Sequence, residues 1–296
     1  MTSNPSKLAD KTAVLVAVLA IARRAGGLIM EVYGGAFDVD YKEKDDPVTR
    51  ADREANTLIC VALQAEFPGV PIVAEESDAS TYEGYASAPA AWFVDPLDGT
   101  REFVKRNGEF AVMIGLAEAG VATLGVIVCP AVSRCFFGAK GVGAFEEDYD
   151  GRRRRIHVSD AKTLAEAELV VSRSHRTGNL EEIATRLGFK QVTHCGSAGV
   201  KSTRIACSES DVYAQPGRAG ALWDACAPEA LVTAAGGRVT DARGAVIDYA
   251  SGALPNHHGF VATNGLLHED VLDLLRRFGP GAPPPAAAAP SRDDGP

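Results

Sequence analysis

Two carboxylates three residues apart, Asp95 and Asp98, close an apolar run in the segment Trp92-Phe93-Val94-Asp95-Pro96-Leu97-Asp98-Gly99-Thr100. The run reads as a strand that delivers Asp95 at its end, and Pro96 and Gly99 shape a tight turn that folds Asp98 back beside it. Carboxylates held that close repel one another unless a cation lies between them. Hard oxygen donors of this kind suit magnesium or manganese. Four more acidic residues stand at the ends of three expected elements. Glu75-Glu76 end the apolar run VPIVAEES, Asp224 opens the helical segment WDACAPEALVTAAGG, and Asp52 opens another helix in DPVTRAD. Plainer readings exist as well: an acidic surface turn at 95–98, and a simple helix N-cap at Asp224.

Two familiar acidic motifs fail on spacing. A haloacid-dehalogenase phosphatase needs D-x-D-G-T after its strand, and D-P-L-D-G-T is one residue longer. An EF-hand needs a Glu at its twelfth position, and the twelfth residue from Asp95 is Arg106.

The elements that must position these groups follow from periodicity and punctuation. A helix is expected over 5–33, a short strand over 37–42, and a helix over 51–67 stopped by Pro68-Gly69. Strands follow over 70–74 and 91–94, with a loop or short helix over 77–89 between them. The β-rich runs 110–118 and 121–129 meet at Gly120 as a hairpin, and 134–138 and 143–147 extend the meander. In the second half, strands over 168–172, 190–194, 211–214, 237–241 and 259–262 alternate with helices over 180–187, 201–207, 224–235 and 268–278. Such alternation predicts α+β architecture, a layered α/β sandwich of alternating helical and sheet layers. The expected organisation is an N-terminal half over 1–150 with most of the acidic groups, a C-terminal half over 151–279 with the substrate pocket and Asp224, and a disordered Pro/Ala-rich tail over 280–296. The arginine run 152–155 reads as a solvated turn.

Composition narrows the class. A formal charge of −9 on 296 residues argues against a nucleic-acid polymer as partner. None of the six cysteines forms a C-x-x-C pair, so reduced core cysteines of a cytoplasmic protein are expected. The apolar stretch 13–22 is broken by Arg23-Arg24 and resumes at Leu28, which favours an amphipathic helix over a signal peptide or a membrane span.

The segments DPVTRAD, AEES, DPLDGT and WDACAPEALVTAAGG, in this order and at these separations, resemble the inositol monophosphatase superfamily of lithium-sensitive, magnesium-dependent phosphomonoesterases. The resemblance runs to about Gly279; Ala74 departs from the Gly common before the glutamate pair. It implies that Glu75, Asp95, Asp98, Asp224 and the Leu97 carbonyl hold two or three Mg2+ ions, with Mn2+ a possible substitute, and that Glu76 lies just behind them. It also implies that Asp52 and the Thr100 hydroxyl orient and deprotonate a water that attacks phosphorus in line, without a phosphoenzyme.

The stretch REFVKRNGEFAVMIGLAE, with Ser172-Arg173-Ser174-His175 and His194-Cys195-Gly196-Ser197-Ala198-Gly199-Val200-Lys201, is most similar to the 3'(2'),5'-bisphosphate nucleotidase branch. That branch implies a small-molecule phosphate ester as substrate, contacted by Gly99, Thr100, His175, Ser197, Lys201, Arg218 and Asp224. The expected reaction is hydrolysis of 3'-phosphoadenosine 5'-phosphate to AMP and phosphate, as in sulfate assimilation, by a monomer or homodimer. An inositol or sugar monophosphatase of the same fold is the alternative. A metal- and nucleotide-binding regulator without catalysis fits less well, because a binder needs no water-activating pair.

Overall fold

The computed structural model describes residues 5–43, 46–174, 184 and 188–278. His175, nearly all of the expected helix 180–187 and the tail 280–296 lie outside the described residues.

The expected first helix is two. Asp10 caps the second, accepting from the amides of Thr12 and Ala13 at 3.0 and 3.1 Å, and so divides α1 (Pro5–Ala9) from α2 (Lys11–Gly34). By length and composition α2 could cross a membrane. Its stripe Val14, Val18, Ala22, Ala25 and Ile29 is instead buried against a sheet at helical spacing, as in a core helix. A hairpin, β1 (Val39–Glu43) and β2 (Asp46–Thr49), leads into α3 (Arg50–Glu66).

The first sheet has seven strands in sequence order: β3 (Ile72–Ala74), β4 (Ala90–Asp98), β5 (Ala111–Glu118), β6 (Val121–Cys129), β7 (Arg134–Ala139), β8 (Gly143–Asp148) and β9 (Arg153–Ile156). Only β3 and β4 pair in parallel. The arginine run is a correction to the expected turn, since Arg153–Arg155 lie on the edge strand β9. There Arg153 and Arg154 stand directly opposite Glu147 and Glu146 of β8 and pair with them. Cross-strand neutralisation of this kind is invisible to a local charge count. The exposed arginines also blunt the sheet edge.

Between β4 and β5 lies the short helix α4 (Thr100–Val104), which the periodicity did not signal. The second sheet orders its strands β11 (Gln191–Cys195), β10 (Glu168–Ser172), β12 (Val212–Gln215), β14 (Phe260–Thr263) and β13 (Arg238–Thr240). Helices α5 (Ala198–Ala206) and α6 (Leu222–Ala234) fill the space between the sheets, and α7 (His268–Phe278) covers the far face of the second. The result is a five-layer α/β/α/β/α sandwich with an apolar core at each sheet face.

Helix α6 lies unusually close to the first sheet. A Cβ on Gly115 of β5 would come within 2.6 Å of the Ala227 amide nitrogen, and one on Gly125 of β6 would collide with the Ala227 carbonyl. The same helix buries Glu229, whose carboxylate accepts from the Tyr249 hydroxyl at 2.7 Å. Burial pushes the Glu229 carboxyl up to about 7. The folded chain therefore favours the neutral acid, and this stability is full below the ordinary value and lost as pH rises through about 7. Glu229→Gln should stabilise the fold by up to about 3 kcal/mol at pH 8 and by little near pH 4. Urea melts of both proteins at the two pH values test this, and an equal gain at both would refute it.

Candidate active site

Asp95 and Asp98 sit three residues apart on β4, which in a regular strand would aim them at opposite faces. The ladder corrects this. Asp95 pairs with Met113 but Asp98 pairs with Ala111, so β4 carries one extra residue in a bulge at Pro96-Leu97. Pro96 has no amide to offer the ladder, which is why the bulge falls there. Asp224, in the first turn of α6, joins them from the opposite layer. One carboxylate oxygen from each of the three lies within 4.8 Å of the others.

Each carboxylate is oriented by backbone or hydroxyl donors. Asp95 accepts from the Leu97 amide at 2.9 Å, and Asp224 from the Ala221 amide at 2.6 Å. Asp98 accepts from the Ser197 hydroxyl and, at 2.7 Å, from the Gly199 amide. Burial drives the carboxyls of Asp95 and Asp224 well above the usual range, and the charges of Glu75 and Asp98 add to the effect. Buried acids crowded in this way are short of positive charge. The donor set, all hard oxygen and already oriented, fits a divalent cation.

Glu75 follows β3 and faces the same cavity, outside the tight trio. Burial raises it to about 7 against the pull of Lys42, whose ammonium lies 2.8 Å from Glu75 and 2.6 Å from Glu76. Lys42 was not foreseen, because nothing local to the β1 strand marks it as a partner for residues over thirty positions away.

Asp52 is 1% exposed. Its Oδ2 accepts from the Thr49 amide at 2.8 Å and the Thr49 hydroxyl at 2.6 Å, closing a capping box at the start of α3. Its Oδ1 faces the Thr100 hydroxyl at 2.9 Å, and that hydroxyl also lies 3.1 Å from the Leu97 carbonyl. Burial raises the Asp52 pKa, opposed by the bonds from Thr49 and Thr100. Thr49 was readable in advance, since T-x-x-D opening a helix is the capping-box pattern. Gly99, at φ +93°, makes the turn that brings Thr100 back over Leu97.

A cavity of about 620 Å³ opens above this floor, and Leu97, Gly99, Thr100, Ser197, Lys201 and Arg218 all line it. Two of them, Ser197 and Lys201, also bond within the protein. The Ser197 hydroxyl and the nearby Gly199 amide both donate to Asp98. Lys201 is 3% exposed, donates to the Ser197 carbonyl at 2.6 Å and lies 4.9 Å from the centre of the Tyr213 ring. Burial pushes its pKa down, with Asp98 pulling the other way. Ser197 itself holds φ +59° and ψ 129°, a conformation costing a non-glycine residue on the order of 1–3 kcal/mol. Tyr213, Trp223, Leu254, Pro255 and Phe260 form an apolar wall of the cavity that no motif announced.

The profile of the inositol monophosphatase family matches residues 10–278. Over 238 residues the chain is 40% identical to the 3'(2'),5'-bisphosphate nucleotidase CysQ of Salmonella typhimurium, covering 80% of this chain and 94% of that one. Among solved structures it is similar to the extragenic suppressor protein SuhB of Bartonella henselae, with a TM-score of 0.77, 26% identity and coverage of 90% and 99% of the two chains. It is also similar to CysQ of Bacteroides thetaiotaomicron, with a TM-score of 0.71, 28% identity and coverage of 87% and 99%.

Proposed function

Because the chain belongs to the inositol monophosphatase family, we propose that it is a magnesium-dependent 3'(2'),5'-bisphosphate nucleotidase that hydrolyses 3'-phosphoadenosine 5'-phosphate to AMP and phosphate. The observation that carries the reading is the close trio Asp95, Asp98 and Asp224 lining a cavity that also holds aromatic side chains. The activity in the name of the Salmonella relative supports the choice of ester. The six cysteines are all free, in keeping with a cytoplasmic enzyme.

Asp95, Asp98, Asp224, Glu75 and the Leu97 carbonyl would hold the ions, two or three Mg2+ with Mn2+ as a possible substitute. When bound, such ions neutralise the phosphate dianion, acidify a water and stabilise the leaving oxygen. The chain's own part is positional and acid–base. Thr100 Oγ1 stands between two acceptors, Asp52 Oδ1 and the Leu97 carbonyl. Donating to Asp52, it leaves its lone pairs toward the cavity, where they can take a proton from the attacking water as its own passes to Asp52. The raised Asp52 pKa suits that acceptance. The aromatic side chains Tyr213, Trp223 and Phe260 in the cavity lining offer a base something to pack against, and the exposed Arg218 offers a cation for a second phosphate.

Phosphate release with Mg2+ from 3'-phosphoadenosine 5'-phosphate and from inositol 1-phosphate, measured side by side, tests the reading. A kcat/KM at least about tenfold higher for the nucleotide, about 1.4 kcal/mol of transition-state preference, is expected. The reverse preference would keep the metal chemistry and transfer the enzyme to the inositol or sugar phosphates.

A further inference from the structure

Two segments that marked the nucleotidase branch, Asn107-Gly108-Glu109-Phe110 and Ser172-Arg173-Ser174, meet in space. Arg173 Nε and Nη2 donate to the two oxygens of Glu109 at 2.9 and 2.6 Å, a two-pronged ion pair. The same two residues grip one stretch of backbone. Arg173 Nη2 donates to the His194 carbonyl at 2.7 Å, and the Gly196 amide donates to Glu109 Oε2 at 2.7 Å. The Arg173 amide adds a bond to the Cys195 carbonyl at 3.1 Å. The residue that follows this stretch is Ser197, strained at φ +59° and bonded through its hydroxyl to Asp98. The room there is tight on the other side as well. A Cβ on Gly196 would collide with the Glu102 side chain, and one on Gly99 would lie 2.8 Å from the Glu109 carbonyl. Neither Glu109 nor Arg173 is among the residues that line the cavity.

We propose that Glu109 and Arg173 are positioning residues for Asp98, a clamp on His194–Gly196 that holds Ser197 in its strained conformation and so keeps the Ser197 hydroxyl and the Gly199 amide on the Asp98 carboxylate. The proposal rests on the reading of Asp98 as a metal ligand. Without the clamp, Ser197 relaxes, α5 loses the cap that the Val200 amide donates to the Ser197 hydroxyl, and Asp98 is free to rotate out of the trio. Asp98 oriented in this way presents its free oxygen at a fixed place; released, it must be ordered by the cation itself.

Mn2+ binding, read from the free-ion electron paramagnetic resonance signal and scaled to the folded fraction by circular dichroism, separates this from a general role in stability. Glu109→Gln and Arg173→Met should each weaken binding by about tenfold to a hundredfold. The double variant should be no weaker than the weaker single, because the two act as one unit. Arg173→Lys, which keeps the charge but not the fork, should fall between, and it carries the test together with Glu109→Gln if Arg173→Met does not fold. Arg153→Met, which breaks an ion pair on β9, should bind as the parent does. If Asp98→Asn weakens Mn2+ binding and the clamp variants do not, or if the two single losses multiply in the double, the clamp is refuted on its own. If Asp98→Asn also binds as the parent, the assignment of Asp98 as a ligand falls and takes the clamp with it.

Discussion

Asp95→Asn should lose catalysis and gain metal-free stability at once. The carboxylate is 2% exposed, stands at the bulge in β4 and shares its cluster with Asp98 and Asp224. Removing one anionic ligand from such a set should lower kcat/KM by about 10³-fold or more, about 4 kcal/mol of transition-state stabilisation. The stability arm follows from the direction of the pKa. Burial and the neighbouring carboxylates hold the Asp95 pKa well above its usual value in the folded chain. Its contribution is therefore complete in acid, below the unfolded value, and is lost as pH rises. At pH 8 in a chelator, the asparagine variant should resist urea better than the parent. Excess Mg2+ should reverse the order, since at 100 times its dissociation constant a ligand adds about 2.7 kcal/mol to the protein that binds it. Activity within tenfold of the parent, or a variant less stable in the chelator, would refute the assignment.

The second large effect is expected where no metal ligand is touched. Thr100→Ala removes the hydroxyl between Asp52 and the Leu97 carbonyl and should reduce kcat by about 10² to 10⁴-fold, the usual worth of a positioned proton acceptor. Mn2+ affinity should change by less than threefold or so, because the Leu97 carbonyl stays in place. Thr100→Ser should recover most of the rate. Asp52→Asn should match the alanine variant in kcat while costing about 1 kcal/mol in stability, through a weaker capping box at Thr49. A Thr100→Ala enzyme within fivefold of the parent would show that the hydroxyl has no part in moving the proton.

The acidic groups were legible because each stands at a boundary with its own local grammar. Asp52 and Asp224 open helices, Glu75 follows a strand, and Asp95 and Asp98 flank a proline that forces a bulge. The family motifs then named them together, and the sandwich followed from the alternation of periods. What local grammar cannot carry is partnership across the chain. Ser197 reaches Asp98 over 99 positions, and Lys42 reaches Glu75 over 33. The aromatic wall is assembled from single residues of β12, α6 and β14 that become neighbours only when the second sheet forms. The arginine run was misread for the same reason: the glutamates that make it a strand lie on β8, not beside it. Helix α4 escaped because five residues are too few to show a period.

Helix α6 rests against β5 and β6 with no side chain between them at Gly115 and Gly125. A machinist would say that the joint has no shim. Asp224 rides at one end of that helix, so its reach toward Asp95 and Asp98 is set by how closely the Ala227 peptide seats on bare strand backbone. Added thickness at either glycine would lift the helix and move one jaw of the ion site while every residue of the site stayed the same. Variation at these two positions would pass for a change of packing on inspection, and its first symptom would be a looser hold on the metal.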